Sequence, residues 1–206
     1  MLIDPETTPI PEVYRHLTAA STPRPIAWVS SISAAGIANL APFSFFNGVG
    51  ANPPAVMFSP VNRRDGSKKD TILNIEATGE FVINIVPDAL ARVMNDTSAE
   101  YPPQISEFTA CHLTPVPSQK VKPPRLKESP VHLECVLHQI VKVGDGPLSA
   151  NVVIGRVVLI HADDSVFDAT GQIDPGKLDT VGRLGAILYS RTRDRFEIPR
   201  PDAVKR

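Results

Sequence analysis

The chain has 206 residues and a formal net charge of −1 at pH 7, with 42% hydrophobic and 21% charged residues. This composition supports a sizeable core and excludes a largely disordered chain, and the near-neutral charge argues against nonspecific nucleic-acid or membrane-surface binding. No apolar run approaches the ~20 residues that span a bilayer, and the amino terminus lacks the pattern of a signal peptide. The sequence therefore predicts a cytoplasmic protein with one domain over residues 1–206.

The cysteines and prolines limit the architecture further. Cys111 and Cys135 form no Cys-x-x-Cys pair and lack matching His spacing, so the sequence predicts neither a zinc site nor a disulfide framework. The 21 prolines gather at both ends and between Pro102 and Pro130, where helices and central strands are disfavoured. These stretches are expected to be loops or arms around a body, and residues 190–206 a C-terminal arm.

The first half of the chain predicts short strands and two helices. A Ser-Ala-Ala-Gly turn separates two β-rich segments, which are expected to pair as a hairpin. The predicted elements, in chain order, are a helix of one or two turns over 13–20, strands over 25–32, 37–43 and 55–59, a helix over 68–78, and a strand buried on both faces over 81–86.

The second half is more openly β. Residues 131–143 alternate, with Val131, Cys135 and Val141 on a face expected to meet the core and with His132 and Glu134 on a face expected to meet solvent or a partner. A second long strand is predicted over 152–161. Six or more strands with so few helices indicate a closed or nearly closed barrel, since a parallel sheet needs more crossover helices.

A cluster of cations stands at the predicted start of the second helix. Residues 63–71 read Arg-Arg-Asp-Gly-Ser-Lys-Lys-Asp-Thr, and Ser67 is expected to be the N-cap, with Asp70 three positions later. Helix N-termini bind anions, so Arg63, Arg64 and the two lysines predict a phosphate site. The alternative is a solvated charged loop. Because the glycines of a P-loop are absent, such a ligand would not be held in that way.

Several motifs occur in a fixed order and together carry a resemblance. They are Thr-Pro-Arg-Pro-Ile-Ala-Trp-Val-Ser-Ser (22–31), Asn-Leu-Ala-Pro-Phe-Ser-Phe-Phe-Asn (39–47), Asn-Pro-Pro (52–54), Lys-Asp-Thr (69–71), Phe-Val-Ile-Asn-Ile-Val (81–86), Val-Ile-Gly-Arg-Val-Val (153–158) with His161, and Arg-Leu-Gly-Ala-Ile-Leu-Tyr (183–189). Over most of residues 14–189 the series resembles the flavin reductase-like, FMN-binding split-barrel family. The resemblance implies a mainly β, Greek-key-like split barrel with Pro-rich arms, and a homodimer that holds FMN near its interface.

The resemblance also implies the residues that bind FMN. Lys69 and Thr71, with Ser67 and Arg63 or Arg64, would grip the phosphate through charge-assisted hydrogen bonds, and Asp70 would cap the helix or orient a cation. Ser44 and Asn47 are expected at the ribityl hydroxyls and the polar edge of the ring, and Arg24 beside the ring. Pro25 and Ser59 complete the predicted cofactor set.

Alternatives stay open for the ring residues. Asn47 before Gly48 is also good turn chemistry, and Ser44 between phenylalanines suits an outward-facing strand position. Arg24 is expected beside the ring, where a cation would stabilise negative charge on reduced flavin.

Three further polar residues fall outside the predicted cofactor set. His161 is either a structural histidine or a group on the substrate or second-subunit side. Arg183 either reaches a neighbouring subunit's flavin or pairs with a surface carboxylate. Asn84, in an apolar strand, is expected to tie down an adjacent loop.

The motif order implies an oxidoreductase without a catalytic acid–base pair or nucleophile, because the cofactor supplies the chemistry. FMN would take a hydride from NADH or NADPH and pass electrons to free flavin, a partner oxygenase or another acceptor. One departure matters: many family members carry Gly-Asp-His where this chain has Gly-Asp-Gly-Pro at 144–147, which resembles the flavoredoxin-like branch. The alternatives are therefore an FMN electron carrier without a direct NAD(P)H site, and a barrel that binds pyridoxal phosphate or a nucleotide.

Overall fold

The computed structural model describes residues 1–201, and the end of the predicted C-terminal arm, 202–206, lies outside the described residues. The helices are α1 (Ile10–Ala20), α2 (Asp70–Thr78), α3 (Ala91–Asp96), α4 (Glu107–Ala110) and α5 (Pro175–Leu178). The strands are β1 (Ala27–Ile32), β2 (Ala38–Phe43), β3 (Phe46–Ala51), β4 (Pro54–Phe58), β5 (Glu80–Ile85), β6 (Pro115–Val116), β7 (Arg125–Leu126), β8 (Val131–Val143), β9 (Ala150–Ala162), β10 (Val181–Arg183) and β11 (Tyr189–Arg191).

Seven strands form one antiparallel sheet that curls on itself. Their order is β2-β1-β5-β8-β9-β4-β3, so the consecutive strands β2 and β3 lie at opposite edges. Only Ser44 and Phe45 connect them, and three Cα–Cα steps span at most about 11 Å. The two edges must therefore meet at this link. The Ser59 N–H donates to the Phe45 carbonyl at 2.8 Å, which extends the pairing of β3 with β4 as far as the link. The predicted split barrel is confirmed.

The barrel interior holds the larger part of the hydrophobic core. Ala27 and Val29 of β1 point inward and pack with Phe58, Phe81 and other buried side chains. Two isoleucines of α2 belong to the same cluster, so this helix closes the barrel and its amino end is fixed relative to the sheet.

A second core lies on the outer face of the sheet. Trp28 and Leu40 alternate with the inward residues of β1 and β2, and they pack under Met94 of α3, Phe108 of α4 and Leu126 of β7. The Pro-rich stretch between 102 and 130 thus covers the sheet, as expected for an arm wrapped around a body.

The predicted hairpin of the first two strands is confirmed, with Ala27 paired to Phe43 and Ile32 to Ala38. The short strand before α2 and the buried strand β5 are also confirmed. The first helix is longer than predicted, because it begins at Ile10. Asn84 ties down a loop as expected, since its side-chain carbonyl accepts from the Leu126 N–H at 2.8 Å.

The predicted surfaces of β8 are partly wrong. A register shift between Leu137 and Gln139 brings Ile140 against the core and leaves Val141 39% exposed, because one extra residue exchanges the two faces of a strand. His132 and Glu134 do not face solvent either. Both are buried, and Glu134 accepts the main-chain N–H groups of residues 119 and 120 of the Pro-rich segment and also contacts His161.

The predicted N-cap of α2 is also wrong. The capping position is Lys69 in an extended conformation, and no side chain caps the helix. Ser67 instead donates to the Asp65 carboxylate at 2.6 Å within the preceding loop. The helix does end as predicted, at Gly79 with φ 70°.

Among residues 1–201, no helix is both long and apolar enough to cross a membrane.

Candidate functional site

A groove runs along β2 between α2 and the segment 97–101. It consists of two adjoining cavities that share Pro42, Phe43 and Ser98. We call the narrower cavity, of about 60 Å³, the Lys69 end, and the wider one, of about 200 Å³, the Arg183 end. The Lys69 end is also lined by Asn39, Ala41, Arg63, Lys69, Asp70, Thr71, Thr97, Ala99, Glu100, Tyr101 and Glu107. The Arg183 end is also lined by Ile26, Ser44, Met94, Asn95, Arg183 and Tyr189.

Lys69 is a half-buried cation without a close anionic partner among residues 1–201. Its ammonium lies 5.9 Å from the centre of the Phe43 ring, and within residues 1–201 it makes no hydrogen bond and no ion pair within 4 Å. Burial and the charge of Arg63 lower the pKa of Lys69, and the negative charge of Glu100 offsets only part of this effect. A desolvated charge without a partner is costly, so the geometry favours an anion at this position.

The amino end of α2 adds hydrogen-bond donors to the same cavity. The main-chain N–H groups of Asp70 and Thr71 have no acceptor among the described residues, as expected in a first helical turn without a side-chain cap. Together with Lys69 they give the Lys69 end positive charge and donors on one side.

The other cations of the charged loop have partners. Arg63 donates to Asp70 Oδ2 at 2.9 Å and to the Lys68 carbonyl, so Asp70 orients a cation. Lys68 pairs with both carboxylate oxygens of Glu76, at 2.5 and 2.7 Å. Arg64 is exposed. Of the four basic residues of this loop, Lys69 has the environment expected of an anion ligand.

A polar network forms the floor of the Lys69 end. Thr71 donates its hydroxyl to Asn39 Oδ1 at 2.8 Å, and Asn39 Nδ2 donates to Glu107 Oε1 at 2.7 Å. The second oxygen of Glu107 accepts the Leu40 N–H at 2.9 Å. Burial raises the pKa of Glu107, and the charge of the nearby Asp70 adds to that rise. The hydrogen bond from the Leu40 N–H lowers the pKa but does not cancel the rise.

At the Arg183 end, Arg24 is a buried anchor behind the groove. Its guanidinium donates to the carbonyls of Thr18, Ser21 (2.6 Å) and Leu184 (2.7 Å), and Nε reaches Ser44 Oγ at 3.4 Å. It therefore ties the end of α1 to the loop between β10 and β11, which begins at Leu184 (the 184 loop). Its contact with the groove is the hydrogen bond to Ser44. Burial lowers the pKa of Arg24.

Arg183 itself lies against an aromatic ring. Its guanidinium carbon is 4.5 Å from the centre of the Tyr189 ring, and it donates to the Tyr189 hydroxyl and to the Ala186 carbonyl. Among residues 1–201 it has no carboxylate partner within 4 Å, which differs from the surface ion pair considered from the sequence.

The structure thus brings six predicted residues to the groove: Ser44, Arg63, Lys69, Asp70, Thr71 and Arg183. Arg24 and Pro25 line an adjoining apolar cavity that shares Ile26 with the groove.

The other predicted site residues lie elsewhere. Asn47 is exposed on the edge strand β3 and accepts the Gly48 N–H at 2.8 Å. Ser59 and Ser67 line neither cavity of the groove. His161 contacts Glu134 at 2.6 Å on β8, which favours its structural role.

The segment 97–101 lines the groove and had no recognisable signal in the sequence. Trp28 donates to Thr97 Oγ1 at 2.9 Å, and Thr97 in turn donates to the Met94 carbonyl, so the outer core fixes where this segment starts. Small polar residues after a short helix are typical of any loop. Only the packing of α3 on β2 brings them to the site.

The chain matches a family model described as "Flavin reductase like domain" over residues 19–193. A protein of Aquifex aeolicus, named only as uncharacterized, is 42% identical over 177 residues, which is 86% of this chain and 88% of that one.

Two solved structures are similar over nearly their whole length. Nitrilotriacetate monooxygenase component B from Bacillus cereus has a TM-score of 0.90 and 35% identity, covering 96% of this chain and 98% of that one. The 2-nitrobenzoate 2-nitroreductase NbaA of Pseudomonas fluorescens has a TM-score of 0.87 and 28% identity, covering 100% of this chain and 99% of that one. The family prediction is confirmed: this chain belongs to the flavin reductase-like split-barrel family.

Proposed function

We propose that the groove holds FMN, with its phosphate at the Lys69 end and its ring system toward the Arg183 end. The observation that carries this proposal is the half-buried ammonium of Lys69, which has no carboxylate within 4 Å among residues 1–201 and lies beside two helix N–H groups without acceptors there. A phosphate dianion supplies the missing charge and several strong acceptors.

The residues at the two ends fit the two halves of FMN. Lys69 and the α2 amino end suit the phosphate, and Arg63, held by Asp70, adds a second cation. Ser44, Asn95 and the main chain of β2 supply polar groups at the wider end, where ribityl hydroxyls and the pyrimidine edge need both donors and acceptors. Ser59, Ser67 and Asn47 stay sequence-based predictions whose side chains would have to reach the cofactor from outside the groove.

The proposed activity is that of an NAD(P)H-dependent flavin oxidoreductase. FMN held in the groove would supply the two-electron chemistry that links reduced nicotinamide to free flavin, a partner oxygenase or another acceptor. The protein binds the cofactor, orients it and controls access of solvent. The similarity to a monooxygenase component supports a partner oxygenase as acceptor.

We infer a homodimer of single-domain subunits, because the groove is open along one side. A twofold partner is a common way to complete such a cleft. Static light scattering at micromolar concentration tests this inference, and a monomeric mass would contradict it.

An FMN electron carrier is the second candidate function. The loop 144–147 carries no histidine, and it packs on the charged loop, where Asn62 donates to the Gly146 carbonyl at 3.1 Å. It therefore supports the loop at the Lys69 end and offers no imidazole to a nicotinamide.

Two measurements on the purified protein separate these proposals. Titration with FMN should give saturable binding, followed by flavin fluorescence, and failure to bind FMN would overturn both candidates. Anaerobic addition of NADH or NADPH should then bleach the flavin absorption band rapidly. No bleaching with either nucleotide would reject the reductase and leave the carrier.

A further inference from the structure

The Thr71 hydroxyl already has an acceptor for its only proton. In the network described above, that proton goes to Asn39 Oδ1 at 2.8 Å. A hydroxyl has one proton and two lone pairs, so Thr71 presents only lone pairs to the groove. A phosphate dianion also presents only acceptors. In this arrangement the hydroxyl opposes the ligand that the rest of the Lys69 end attracts.

The charge of Glu107 dictates this arrangement. An ionised carboxylate only accepts hydrogen bonds, so the Asn39 amide must turn its NH₂ toward Glu107 Oε1, 2.7 Å away. The amide carbonyl then necessarily faces Thr71. The Leu40 N–H fixes the other carboxylate oxygen at 2.9 Å and leaves Glu107 little freedom to turn away.

A proton on Glu107 Oε1 reverses each bond without moving a backbone atom. The acid donates to the Asn39 carbonyl, the amide turns over, and its NH₂ donates to Thr71 Oγ1. The oxygen and nitrogen of the amide exchange places, so the 2.7 and 2.8 Å separations are kept. The proton of the Thr71 hydroxyl is then released toward the groove.

The neighbouring groups can follow this reversal. Ser31 donates to Asn39 Oδ1 at 3.3 Å and accepts from Asn74 Nδ2 at 3.0 Å. Asn74 Oδ1 accepts no hydrogen bond from residues 1–201, so its amide can also turn over and take the Ser31 proton. Such chains of hydrogen bonds reorganise cooperatively.

We propose that Glu107 is a positioning residue for the phosphate end of the site, and that binding of a phosphate group there takes up one proton on Glu107. This inference rests on the proposed function. Protonated Glu107 donates to Asn39, Asn39 then donates to Thr71, and the Thr71 hydroxyl is left to donate its proton to the anion.

Charges of both signs share the cavity with Glu107. They are Asp70 of α2, Lys69 and Arg63 of the charged loop, and Glu100 of the segment 97–101, together with Tyr101. A bound dianion would offset the two cations, which favour the ionised form of Glu107. Glu107 is 6% exposed, and burial raises its pKa. A bound dianion adds negative charge and raises that pKa further. Affinity is therefore highest below the pKa of the free protein and falls as pH rises between the free and bound pKa values.

Calorimetric titration with FMN between pH 6 and 8, in buffers of different ionisation enthalpy, measures the proton uptake directly. The comparison is with Glu107→Gln, whose amide donates to Asn39 as the protonated acid would. The protonation of FMN itself is common to both proteins. The wild type should take up as much as one proton more than the variant, and its affinity should fall relative to the variant by up to about tenfold per pH unit. At pH 8 the variant should bind FMN more tightly than the wild type.

Controls separate this proposal from a structural role of Glu107. Thr71→Val removes the hydroxyl and should reduce the extra proton uptake to the part that the charge of the bound phosphate alone produces. If Glu107→Gln does not fold, the comparison of the wild type with Thr71→Val takes its place. Equal proton uptake in wild type and variant, or weaker binding by Glu107→Gln at every pH, would overturn the inference and leave the proposed function intact. If the wild type binds no FMN, the proposed function fails and this inference fails with it.

Discussion

Two buried carboxylates on the outer face of the same sheet have opposite surroundings. Glu134 on β8 receives the main-chain N–H groups of Gln119 and Lys120 at 2.8 and 2.6 Å and His161 at 2.6 Å. Glu107 receives one main-chain N–H and one neutral amide, with Asp70 nearby. Burial alone would raise both pKa values, but the hydrogen bonds of Glu134 outweigh it and lower the pKa of that group.

The cations near the two carboxylates also differ. Glu134 has Arg125 at 3.9 Å and a histidine within its own cluster, whereas Lys69, which lines the same cavity as Glu107, has no carboxylate within 4 Å among residues 1–201. A cluster that satisfies its own charges holds the fold together, as Glu134 does by fixing the Pro-rich segment. A cluster that leaves one charge unsatisfied is prepared for a ligand.

The largest effect is expected from Glu134→Ala. Two main-chain N–H groups and His161 lose their buried acceptor, so the free energy of unfolding should fall by about 3 kcal/mol in urea denaturation. Glu6→Ala, at an exposed position, should change it by less than about 0.5 kcal/mol. A greater loss from Glu107→Ala than from Glu134→Ala would contradict the distinction between the two clusters.

Lys69→Ala should weaken FMN binding by about 1–3 kcal/mol, the contribution of a hydrogen bond to a charged group, which corresponds to roughly five- to over a hundredfold in affinity. Fluorescence titration measures this change. The adjacent Lys68→Ala is the matched control, because Lys68 pairs with Glu76, and its affinity should stay within about twofold of the wild type. Equal losses in both variants would mean a general charge effect and not a specific contact.

The stability of the protein should depend on Glu134 at acid pH. Because the folded-state pKa of Glu134 is lowered, its contribution is complete above the unfolded value near 4.3 and is lost as pH falls through the folded-state value. The difference in free energy of unfolding between wild type and Glu134→Gln should therefore shrink below about pH 4.5, by about 1.4 kcal/mol for each unit by which the pKa is lowered. A difference that stays constant from pH 7 to 3.5 would show that the charge contributes nothing.

The smallest effect is expected from Lys69→Met on the stability of the flavin-free protein. A half-buried, unpartnered ammonium destabilises the free protein, so Lys69→Met should raise the free energy of unfolding of the flavin-free protein by about 0.5 kcal/mol while it weakens FMN binding. Lys68→Met loses an ion pair and should give no gain. Thermal unfolding of the flavin-free proteins measures both, and a loss of stability in Lys69→Met would mean that Lys69 has a structural partner.

Local patterns in the sequence predicted much of the fold. The hairpin of β1 and β2 follows from two β-rich segments around a turn, and the end of α2 follows from Gly79. Strand β3 was not predicted, because Phe46–Ala51 contains two glycines and lies exposed at a sheet edge, without the alternation that a buried face imposes. The faces of β8 were misassigned because no sequence pattern marks a bulge.

The candidate site could be recognised in the sequence only where its residues are close together in the chain. The charged loop and Lys69 could be recognised, since cations before a helix have a known chemistry. Tyr101 and Glu107 could not, because long-range packing of α3 and α4 on β2 brings them to the groove. Arg24 was expected beside the ring, but carbonyls of α1 and the 184 loop occupy most of its donors. Sequence alone does not show which donors of a side chain are already taken.

We propose that Lys69 and the amino end of α2 bind the phosphate of FMN, and a comparison of FMN with riboflavin tests this proposal. Riboflavin has the same ring and ribityl chain and no phosphate. We expect the wild type to bind FMN at least about tenfold more tightly than riboflavin, and we expect Lys69→Ala to remove most of that preference. Equal affinity of the wild-type protein for the two flavins would contradict the account.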